Sequence, residues 1–271
     1  MPIGRALLYA ASLGALSLCA RSLVVAPVPI AVAGAAITAY VALILCGVLF
    51  LQLGMFVDVV WRGPRDARGV ALTFDDGPSA VHTPRVLDLL DEAGVKATFF
   101  VIGRKAEAHP EIVREIAARG HAIGLHSYGH DRLFALRSAR AVEEDLRRGV
   151  EALERITGAR PVLFRPPIGH TNPRIARAVR ALDLEVVGWS IRGLDGLARA
   201  RPDRVAARVI PRLRDGAIVL LHDAAERDDR APAGVAALPR ILEAMSASNL
   251  PGVRVDAWMD GEDEAAGSER I

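Results

Sequence analysis

The fold is decided by Val70-Ala71-Leu72-Thr73-Phe74-Asp75-Asp76-Gly77-Pro78-Ser79, an apolar run of strand length that ends in two acids and a turn. The β-branched and aromatic side chains of Val70–Phe74 favour a buried strand. Asp-Asp-Gly-Pro is also ordinary turn chemistry, so the motif by itself predicts only a strand followed by a turn. Two adjacent aspartates on an extended segment point in opposite directions, so one could bind a metal ion while the other acts as a base.

Runs of strand length alternate with segments of helical periodicity along the rest of the chain. The predicted strands are Val70–Phe74, Ala97–Ile102, Ala122–Leu125, Val162–Phe164, Glu185–Ser190, Ala217–Leu221 and Val253–Ala257. The predicted helices are Pro84–Ala93, Ala106–Arg119, Ala139–Ile156, Pro173–Leu182, Pro202–Leu213 and Val235–Ser248. This alternation indicates an α/β fold with a parallel sheet, either closed into a barrel or open and doubly wound. In both architectures reactive side chains gather at the carboxyl ends of the strands.

The composition of the 271-residue chain divides it into two parts. Residues 1–61 contain only three charged side chains, whereas the remainder carries nearly balanced acids and bases. The apolar segment 1–61, called the leader below, excludes an ordinary soluble globular protein. The composition also excludes a disordered, collagen-like or small disulfide-rich protein. The net charge of +2 predicts no nucleic-acid partner. Both cysteines, Cys19 and Cys46, lie in the leader, so no cysteine metal site is expected.

The leader is predicted to anchor the chain in a membrane. Residues 22–57 include no charged residue and no histidine, and Ile30–Val57 exceeds the ~20 residues that a helix needs to cross the hydrocarbon layer. Ala6–Ala26 is a second candidate span, and Ala26-Pro27-Val28-Pro29 predicts a turn between the two. A cleaved signal peptide is the alternative, but the chain left after cleavage would still begin with a span. We therefore predict a transmembrane helical hairpin.

Charges at the two ends of the predicted hairpin bear on its orientation. Arg5 precedes the first span, and Arg62, Arg65 and Arg68 follow the second. The positive-inside tendency places both ends in the cytoplasm, so we predict an integral protein of the cell (inner) membrane with a cytoplasmic catalytic domain. A single span with its amino terminus inside would export the domain instead, and this alternative stays open.

Polar clusters follow five of the predicted strands. They are Asp75-Asp76-Gly77-Pro78-Ser79, His126-Ser127-Tyr128-Gly129-His130, Arg165-Pro166-Pro167-Ile168-Gly169-His170, Arg192-Gly193-Leu194-Asp195 and His222-Asp223. Each cluster alone has an ordinary explanation as a turn, an exposed histidine or a surface salt bridge. Because all five come at the same end of a parallel sheet, together they predict one functional site.

His126 and His130 have the spacing of metal ligands. Two imidazoles four residues apart on a helical turn share one face and can hold a single ion. Asp75 and Asp76 are the nearest candidates for a third ligand. Two histidines and one carboxylate suit Zn²⁺, with Co²⁺, Fe²⁺ or Ni²⁺ as alternatives, and leave a position open for water. The predicted cofactor is therefore one divalent metal ion.

Four of these motifs together resemble the polysaccharide deacetylase (NodB-homology, carbohydrate esterase family 4) family. They are Thr73–Ser79, His126–His130, Arg165–Pro167 and Leu220–Asp223, in the family's order, within a similarity that runs from about Gly69 to Trp258. The resemblance implies a distorted (β/α) barrel of about seven strands, in agreement with the seven predicted runs. It also implies removal of N-acetyl groups from amino sugars in chitin, peptidoglycan and related glycans, and in some members action on polyprenyl-linked sugars.

The resemblance implies a division of labour within the site. Asp76, His126 and His130 become the metal ligands, which leaves Asp75 as the general base. His222 becomes the general acid. Hydrolysis of an amide near neutral pH needs a nucleophile, stabilisation of charge and a proton donor together, and this set supplies all three.

Supporting roles follow from the same resemblance. Arg165 would orient Asp75, Asp195 would tune His222, and the backbone N–H of Ile168 would stabilise the oxyanion. Ile168 stands where the family usually has an aromatic residue, and Gly196 stands where a tryptophan often occurs. Neither can stack on a sugar ring, so the family's usual sugar platform is not expected. Two further candidates for contact with substrate are Tyr128 and His170.

The sequence thus predicts a membrane-anchored, metal-dependent hydrolase of non-peptide carbon–nitrogen bonds. Its substrate would be an N-acetyl or other small N-acyl group on an amino sugar of a glycan or glycolipid. The alternatives are a deacylase or deformylase of a polyprenyl-linked sugar, an O-acetyl esterase and a non-catalytic carbohydrate-binding module. The predicted organisation is an anchor over 1–61, a linker over 62–68, a catalytic domain over 69–258 and a polar, disordered tail over 259–271.

Overall fold

The computed structural model describes residues 1–226 and 230–259 of the chain. Of the predicted tail, all but Met259 lies outside the described residues. The elements below therefore cover the leader and the predicted catalytic domain, apart from residues 227–229.

Two long helices come first, α1 (Ile3–Val24) and α2 (Ile30–Leu49). Both are long and apolar enough to cross a membrane, and almost none of their surface is buried within the molecule. Pro27 and Pro29 lie in the connection, where the ring geometry of proline ends one helix and permits the start of the next. The side chains of Ser12 and Tyr40 share a hydrogen bond of 2.9 Å between the two helices. The two helices thus form a hairpin.

Within residues 1–226 and 230–259, eight strands form one parallel sheet. They are β1 (Val59–Val60), β2 (Val70–Asp75), β3 (Thr98–Val101), β4 (Ala122–Leu125), β5 (Leu163–Phe164), β6 (Glu185–Val187), β7 (Ile191–Arg192) and β8 (Ala217–His222). Their order across the sheet is β1-β6-β5-β4-β3-β2-β8-β7, and every neighbouring pair is parallel.

The sheet is curled into an incompletely closed barrel. Residues 188–190 carry the chain from β6, next to one edge, directly to β7 at the other edge. Arg62, two residues after β1, forms a bridge to Ala217 of β8. The predicted distorted (β/α) barrel is therefore confirmed, with eight strands where about seven were expected.

In the described part of the chain, seven further helices surround the barrel. They are α3 (His82–Glu92), α4 (Gly103–Ala108), α5 (Pro110–Ala118), α6 (Ala139–Thr157), α7 (Pro173–Ala181), α8 (Pro202–Val209) and α9 (Ala233–Ala247). Local sequence fixes several of their ends. The side chain of Asn172 accepts from the first free N–H groups of α7, and Ser138 caps α6 in the same way. Gly158 ends α6 with a positive φ of 75°, which costs glycine little.

Alternate residues of β2 face two different cores. Val70, Leu72 and Phe74 join the large core that the surrounding helices complete. Ala71 belongs to a small core inside the barrel together with Phe100, Leu163, Val187, Ile218 and Val255. Thr73 and Asp75 share the register of Ala71, so their side chains enter the barrel interior. The alternation therefore separates Asp75, inside the barrel, from Asp76, which follows the strand.

One predicted strand, Val253–Ala257, is wrong. The residue before the segment, Gly252, forms an isolated bridge to Val70, and the segment itself turns into a short 3-10 helix over Asp256–Trp258. β8 pairs with the whole of β2 and β3 pairs with Thr73–Asp75, so only the start of β2, where Gly252 bridges to Val70, is left for a further strand. The buried Val255 N–H donates to Thr98 Oγ1 instead (3.0 Å).

Prolines divide two of the predicted helices. Ala106–Arg119 consists of α4 and α5, which are separated at His109 because Pro110 disfavours a helical conformation in the residue before it. Pro202–Leu213 ends as an α-helix at Val209 and continues as a 3-10 turn that contains Pro211.

The chain between α2 and β2 packs against the domain. Leu51 is buried in the large core, and β1 pairs with β6. In the segment predicted as a linker, the Gly63 N–H donates to the Gly216 carbonyl (2.9 Å). The hairpin is therefore joined to the barrel by packed structure.

Candidate active site

A cleft of about 640 Å³ lies at the carboxyl ends of the strands. Seven of the ten predicted site residues line it, namely Asp75, Asp76, His126, His130, Ile168, Asp195 and His222. Arg165 lies fully buried in contact with Asp75. Residues from the strand-end clusters thus meet in one cleft.

Asp76, His126 and His130 form a compact group of possible metal ligands. One donor atom from each lies within 4.8 Å of the others, and all three residues are buried. The two Nε2 atoms of the histidines are 3.2 Å apart, and Asp76 Oδ1 lies 3.1 Å from His130 Nε2 and 3.5 Å from His126 Nε2. Asp76 Oδ1 is buried and has no hydrogen-bond partner within the described residues.

The protonation of His126 suits a metal ligand. Its Nδ1 lies 2.7 Å from the Arg165 carbonyl oxygen, which places the ring proton on Nδ1 and the Nε2 lone pair in the cluster. Burial lowers the pKa of His126 to about 4, so the ring is neutral at neutral pH. A neutral imidazole lone pair beside an unsatisfied carboxylate oxygen fits a divalent cation.

Asp75 is held by a buried arginine. Arg165 Nη1 donates to Asp75 Oδ1 (2.7 Å) and to Thr73 Oγ1 (2.8 Å), and its other N–H groups donate to carbonyl oxygens at the end of β6. Burial acts to raise the pKa of Asp75, but the positive charge of Arg165, with smaller contributions from two histidines, outweighs it and leaves the pKa lowered. Asp75 is therefore an ionised carboxylate inside the barrel.

His222 lies beside Asp75 because β8 pairs with β2, and the two residues are register partners. Its Nδ1 is 3.0 Å from Asp195 Oδ1, and its backbone N–H donates to Asp195 Oδ2 (2.8 Å). Burial acts to lower the pKa of His222, but the Asp195 carboxylate more than compensates and raises it to about 9. The ring is therefore protonated at neutral pH.

Several site residues have left-handed backbone conformations. The φ angles are 72° at Asp76, 59° at Ser127, 51° at His130 and 51° at Ile168. Non-glycine residues rarely adopt this region, and such strain clusters at functional sites because the surrounding structure must hold it. The concentration of these residues around one cleft supports a functional assignment.

Asp145 is a supporting residue that sequence reasoning missed. It is buried on α6 and accepts from the backbone N–H groups of Tyr128 and Gly129 (2.8 and 3.2 Å), the residues just before His130. Arg137 donates to the same carboxylate (3.1 Å). The available signal was an acid on the apolar stripe of α6, between Val142 and Leu146.

A second missed group fixes the turn that carries Asp76. The Thr83 hydroxyl donates to the buried Asp223 carboxylate, which lies against Gly77 so closely that a Cβ there would be 2.5 Å from Asp223 Oδ2. Lys105 Nζ donates to the Asp76 carbonyl oxygen (2.8 Å). These contacts join residues distant in sequence, which no spacing in the chain could reveal.

The structure does not bring Tyr128 and His170 into the cleft. The Tyr128 hydroxyl donates to Glu107 Oε2 (2.7 Å), and its ring lies 3.8 Å from the Arg148 guanidinium carbon, on the helical exterior. His170 is half-buried beside Thr171, whose N–H donates to Val48 at the end of α2. The prediction that they contact substrate stays a prediction, and the cleft does not support it, since adjacency in a motif did not imply a common direction of the side chains.

The cleft combines an ionised carboxylate, a protonated imidazole and a His-His-Asp group. These supply a base, an acid and a set of possible metal ligands, which is the combination expected of a hydrolase. A family model described as polysaccharide deacetylase matches residues 62–187. A peptidoglycan-N-acetylglucosamine deacetylase of Bacillus cereus is 36% identical over 187 residues, which cover 68% of this chain and 84% of that protein. The chain therefore belongs to the polysaccharide deacetylase family, and the predicted resemblance is confirmed.

Two further comparisons agree with this membership. A chitooligosaccharide deacetylase of Azorhizobium caulinodans is 37% identical over 171 residues, 63% of this chain and 80% of that protein. A solved peptidoglycan N-acetylglucosamine deacetylase, in complex with 4-naphthalen-1-yl-N-oxidanyl-benzamide, superposes with a TM-score of 0.68 at 31% identity and covers 74% of this chain and 92% of its own. The chain is thus a hydrolase of non-peptide carbon–nitrogen bonds, as predicted.

Proposed function

We propose that the chain is a membrane-anchored, metal-dependent deacetylase that removes an N-acetyl or other small N-acyl group from an amino sugar. The observation that carries the proposal is the meeting of the His-His-Asp group with Asp75 and His222 in one cleft. The relatives are named for N-acetylglucosamine in peptidoglycan and for chitooligosaccharides, and we extend the common feature of these substrates, an N-acylated amino sugar, to this chain.

In the proposed mechanism Asp75 takes a proton from the attacking water. A base must be ionised before it can accept a proton, and Arg165 keeps the pKa of Asp75 lowered. The same guanidinium fixes the direction of the carboxylate, so Asp75 Oδ2 remains for the water while Oδ1 is held.

His222 then donates a proton to the departing amine nitrogen. Its Nδ1 is engaged with Asp195, which leaves Nε2 as the donor toward the cleft. Ile168 lines the cleft with its backbone strained at φ 51°, and we assign its N–H to the oxyanion.

A divalent metal ion, Zn²⁺ by preference and Co²⁺, Ni²⁺ or Fe²⁺ as alternatives, would be held by Asp76, His126 and His130. Such an ion lowers the pKa of a water molecule towards ~7 and polarises the acyl oxygen. The three donors leave a coordination position open, which a catalytic site requires and a structural site does not.

The stoichiometry of the products tests the proposed function. The full-length protein, supplied with Zn²⁺, is incubated with an N-acetylated chitooligosaccharide, and acetate and free amine are both measured. We expect one amine for each acetate released. Acetate without amine from an O-acetylated substrate alone would indicate the esterase, and binding without any acetate would indicate a carbohydrate-binding module. Either result would contradict the proposal.

The substitution Asp195→Asn is expected to shift the alkaline limb of the pH–rate profile to lower pH. The acid must be protonated, so activity falls as the pH rises through the pKa of His222. Loss of the carboxylate lowers that pKa, typically by about 1–3 units for a close opposite charge. The matched control is Asp203→Asn, an exposed aspartate on α8. An alkaline limb that stays in place in Asp195→Asn would show that Asp195 does not tune His222.

We also propose that residues 1–61 are a membrane anchor and that the catalytic domain, 69–258, faces the cytoplasm. The uncovered apolar surfaces of α1 and α2 support the anchor, and the positive charges that flank the hairpin support the orientation. A reporter fused after residue 271 tests the orientation. We expect green fluorescent protein to be bright and alkaline phosphatase to be inactive, whereas the opposite pair of results would place the domain outside.

A further inference from the structure

The two imidazoles of the proposed metal group differ in the surroundings of their second ring nitrogen. His126 Nδ1 lies 2.7 Å from the Arg165 carbonyl oxygen, which accepts its hydrogen bond. His130 Nδ1 is buried and has no hydrogen-bond partner within the described residues. Because a buried polar atom without a partner is destabilising and rare in folded proteins, this nitrogen needs an acceptor close by.

The carboxylate of Glu226 lies next to this nitrogen. Glu226 lines the cleft four residues beyond His222, the last residue of β8, and its Oε1 is 3.6 Å from His130 Nδ1. This distance is about half an ångström longer than an ordinary N–H···O hydrogen bond. A small rotation of the Glu226 side chain is therefore enough to form one.

The other oxygen of the Glu226 carboxylate is bound by Arg132. The Nε and Nη2 atoms of Arg132 lie 2.7 and 2.6 Å from Glu226 Oε2. The arginine side chain is 61% exposed, whereas that of the glutamate is only 10% exposed. An ion pair with an exposed arginine contributes little, and burial of a carboxylate is costly. Arg132 thus orients the carboxylate but does not account for its burial against His130.

The backbone around Glu226 is tied to the turn that carries Asp76. Lys105 Nζ donates to the Asp76 carbonyl oxygen (2.8 Å) and also to the Ala225 carbonyl oxygen (2.6 Å). Arg104 Nη2 donates to the carbonyl oxygen of Glu226 itself (3.3 Å). Two neighbouring residues of α4 therefore fix a proposed metal ligand and Glu226 in one arrangement.

We propose that Glu226 is a positioning residue for His130, whose Nδ1–H donates to its carboxylate when the group holds a cation. A metal-bound histidine usually donates its other N–H to a carboxylate or a carbonyl oxygen, which fixes the tautomer and makes the ligand nitrogen more basic. The Arg165 carbonyl oxygen does this for His126. The inference rests on the proposed function and extends it to a residue that the resemblance leaves without a role, three positions beyond the motif Leu220–Asp223.

The affinity for Co²⁺ tests the inference without reference to catalysis. The metal-free, full-length protein is titrated with Co²⁺, and the visible absorption of the bound ion gives Kd. We expect Glu226→Ala to raise Kd by about 10–100-fold, the usual effect of losing the partner of a ligand histidine. Glu226→Gln keeps the size of the side chain and an acceptor oxygen but not the charge, so its Kd should lie between the other two. A wild-type Kd in both variants would overturn the inference.

Two control variants separate this role from general effects of charge. Arg132→Gln removes the ion pair and leaves the Glu226 carboxylate beside His130, so Kd should change far less than in Glu226→Ala. Glu243→Gln removes a negative charge from an exposed position on α9, outside the cleft, and should leave Kd unchanged. Equal losses of affinity in Arg132→Gln and Glu226→Ala would show that Glu226 serves only as the partner of Arg132, and would overturn the inference.

The dependence of acetate release on Zn²⁺ distinguishes this inference from the proposed function. In Glu226→Ala we expect release to fall at limiting Zn²⁺ and to recover at saturating Zn²⁺, because Asp75 and His222 are untouched. Active variants with the Zn²⁺ dependence of the wild type would overturn the inference and leave the proposed function standing. A wild-type protein whose Co²⁺ affinity depends on Glu226, but which releases no acetate at any Zn²⁺ concentration, would overturn the proposed function alone.

Discussion

The substitution Asp75→Asn is expected to lower kcat by about 10²-fold or more, because an amide cannot accept the proton that the attacking water must lose. The metal ligands are untouched, so the metal content should equal that of the wild type. Acetate release under saturating substrate and the bound metal per chain are the two measurements. Turnover at the wild-type rate would remove Asp75 from the mechanism.

The same substitution also breaks a buried ion pair, so its effect on stability needs a separate control. Arg165 is fully buried and would lose its charged partner, which typically costs about 3–5 kcal/mol. The variant His222→Ala leaves the Asp75–Arg165 pair intact and should also lower turnover by about 10²-fold or more. Thermal unfolding of both variants then distinguishes loss of chemistry from loss of the fold. Full activity of His222→Ala in a folded protein would contradict the assignment of the acid.

Removal of a proposed ligand is expected to abolish metal binding together with activity. In His130→Ala the site retains one imidazole and one carboxylate. Loss of a residue that only hydrogen-bonds a ligand typically lowers metal affinity by about 10–100-fold, so loss of a ligand itself should lower the affinity for Co²⁺ by more than that. Titration with Co²⁺, followed by its visible absorption, measures binding without reference to catalysis. The matched control is His109→Ala, a partly exposed histidine between α4 and α5. Unaltered Co²⁺ binding in His130→Ala would show that the cation is held elsewhere.

Much of the barrel could be predicted because its strands are buried on both faces and read as continuous apolar runs. The failures have local causes. The strand β1 is two residues long, too short to produce a pattern. Val253–Ala257 has the composition of a strand, but β3 and β8 leave only the start of β2 open to it. The break at His109 could have been predicted from Pro110. The crossing from β6 to β7 could not, because it depends on the curl of the whole sheet.

The site residues that could be predicted from the sequence are those at the carboxyl ends of strands. The last residue of β2 is Asp75, with Asp76 immediately after it, and the last residue of β8 is His222. The alternation of side chains along a strand separates the two aspartates. The burial of Arg165 inside the barrel was not readable, since an isolated arginine in a sequence is more often at the surface. Asp145 acts on the loop before His130 from another helix, a contact that only tertiary structure creates.

The central claim is that this cleft hydrolyses an N-acyl amide with a metal ion bound at Asp76, His126 and His130. The most direct measurement is acetate release by the full-length protein from an N-acetylated amino-sugar substrate, first after treatment with a chelator and then after addition of Zn²⁺ or Co²⁺. We predict that the stripped protein releases no acetate above background and that the added metal restores release with an equal yield of free amine. Acetate release that persists at the same rate in the metal-free protein would contradict the account.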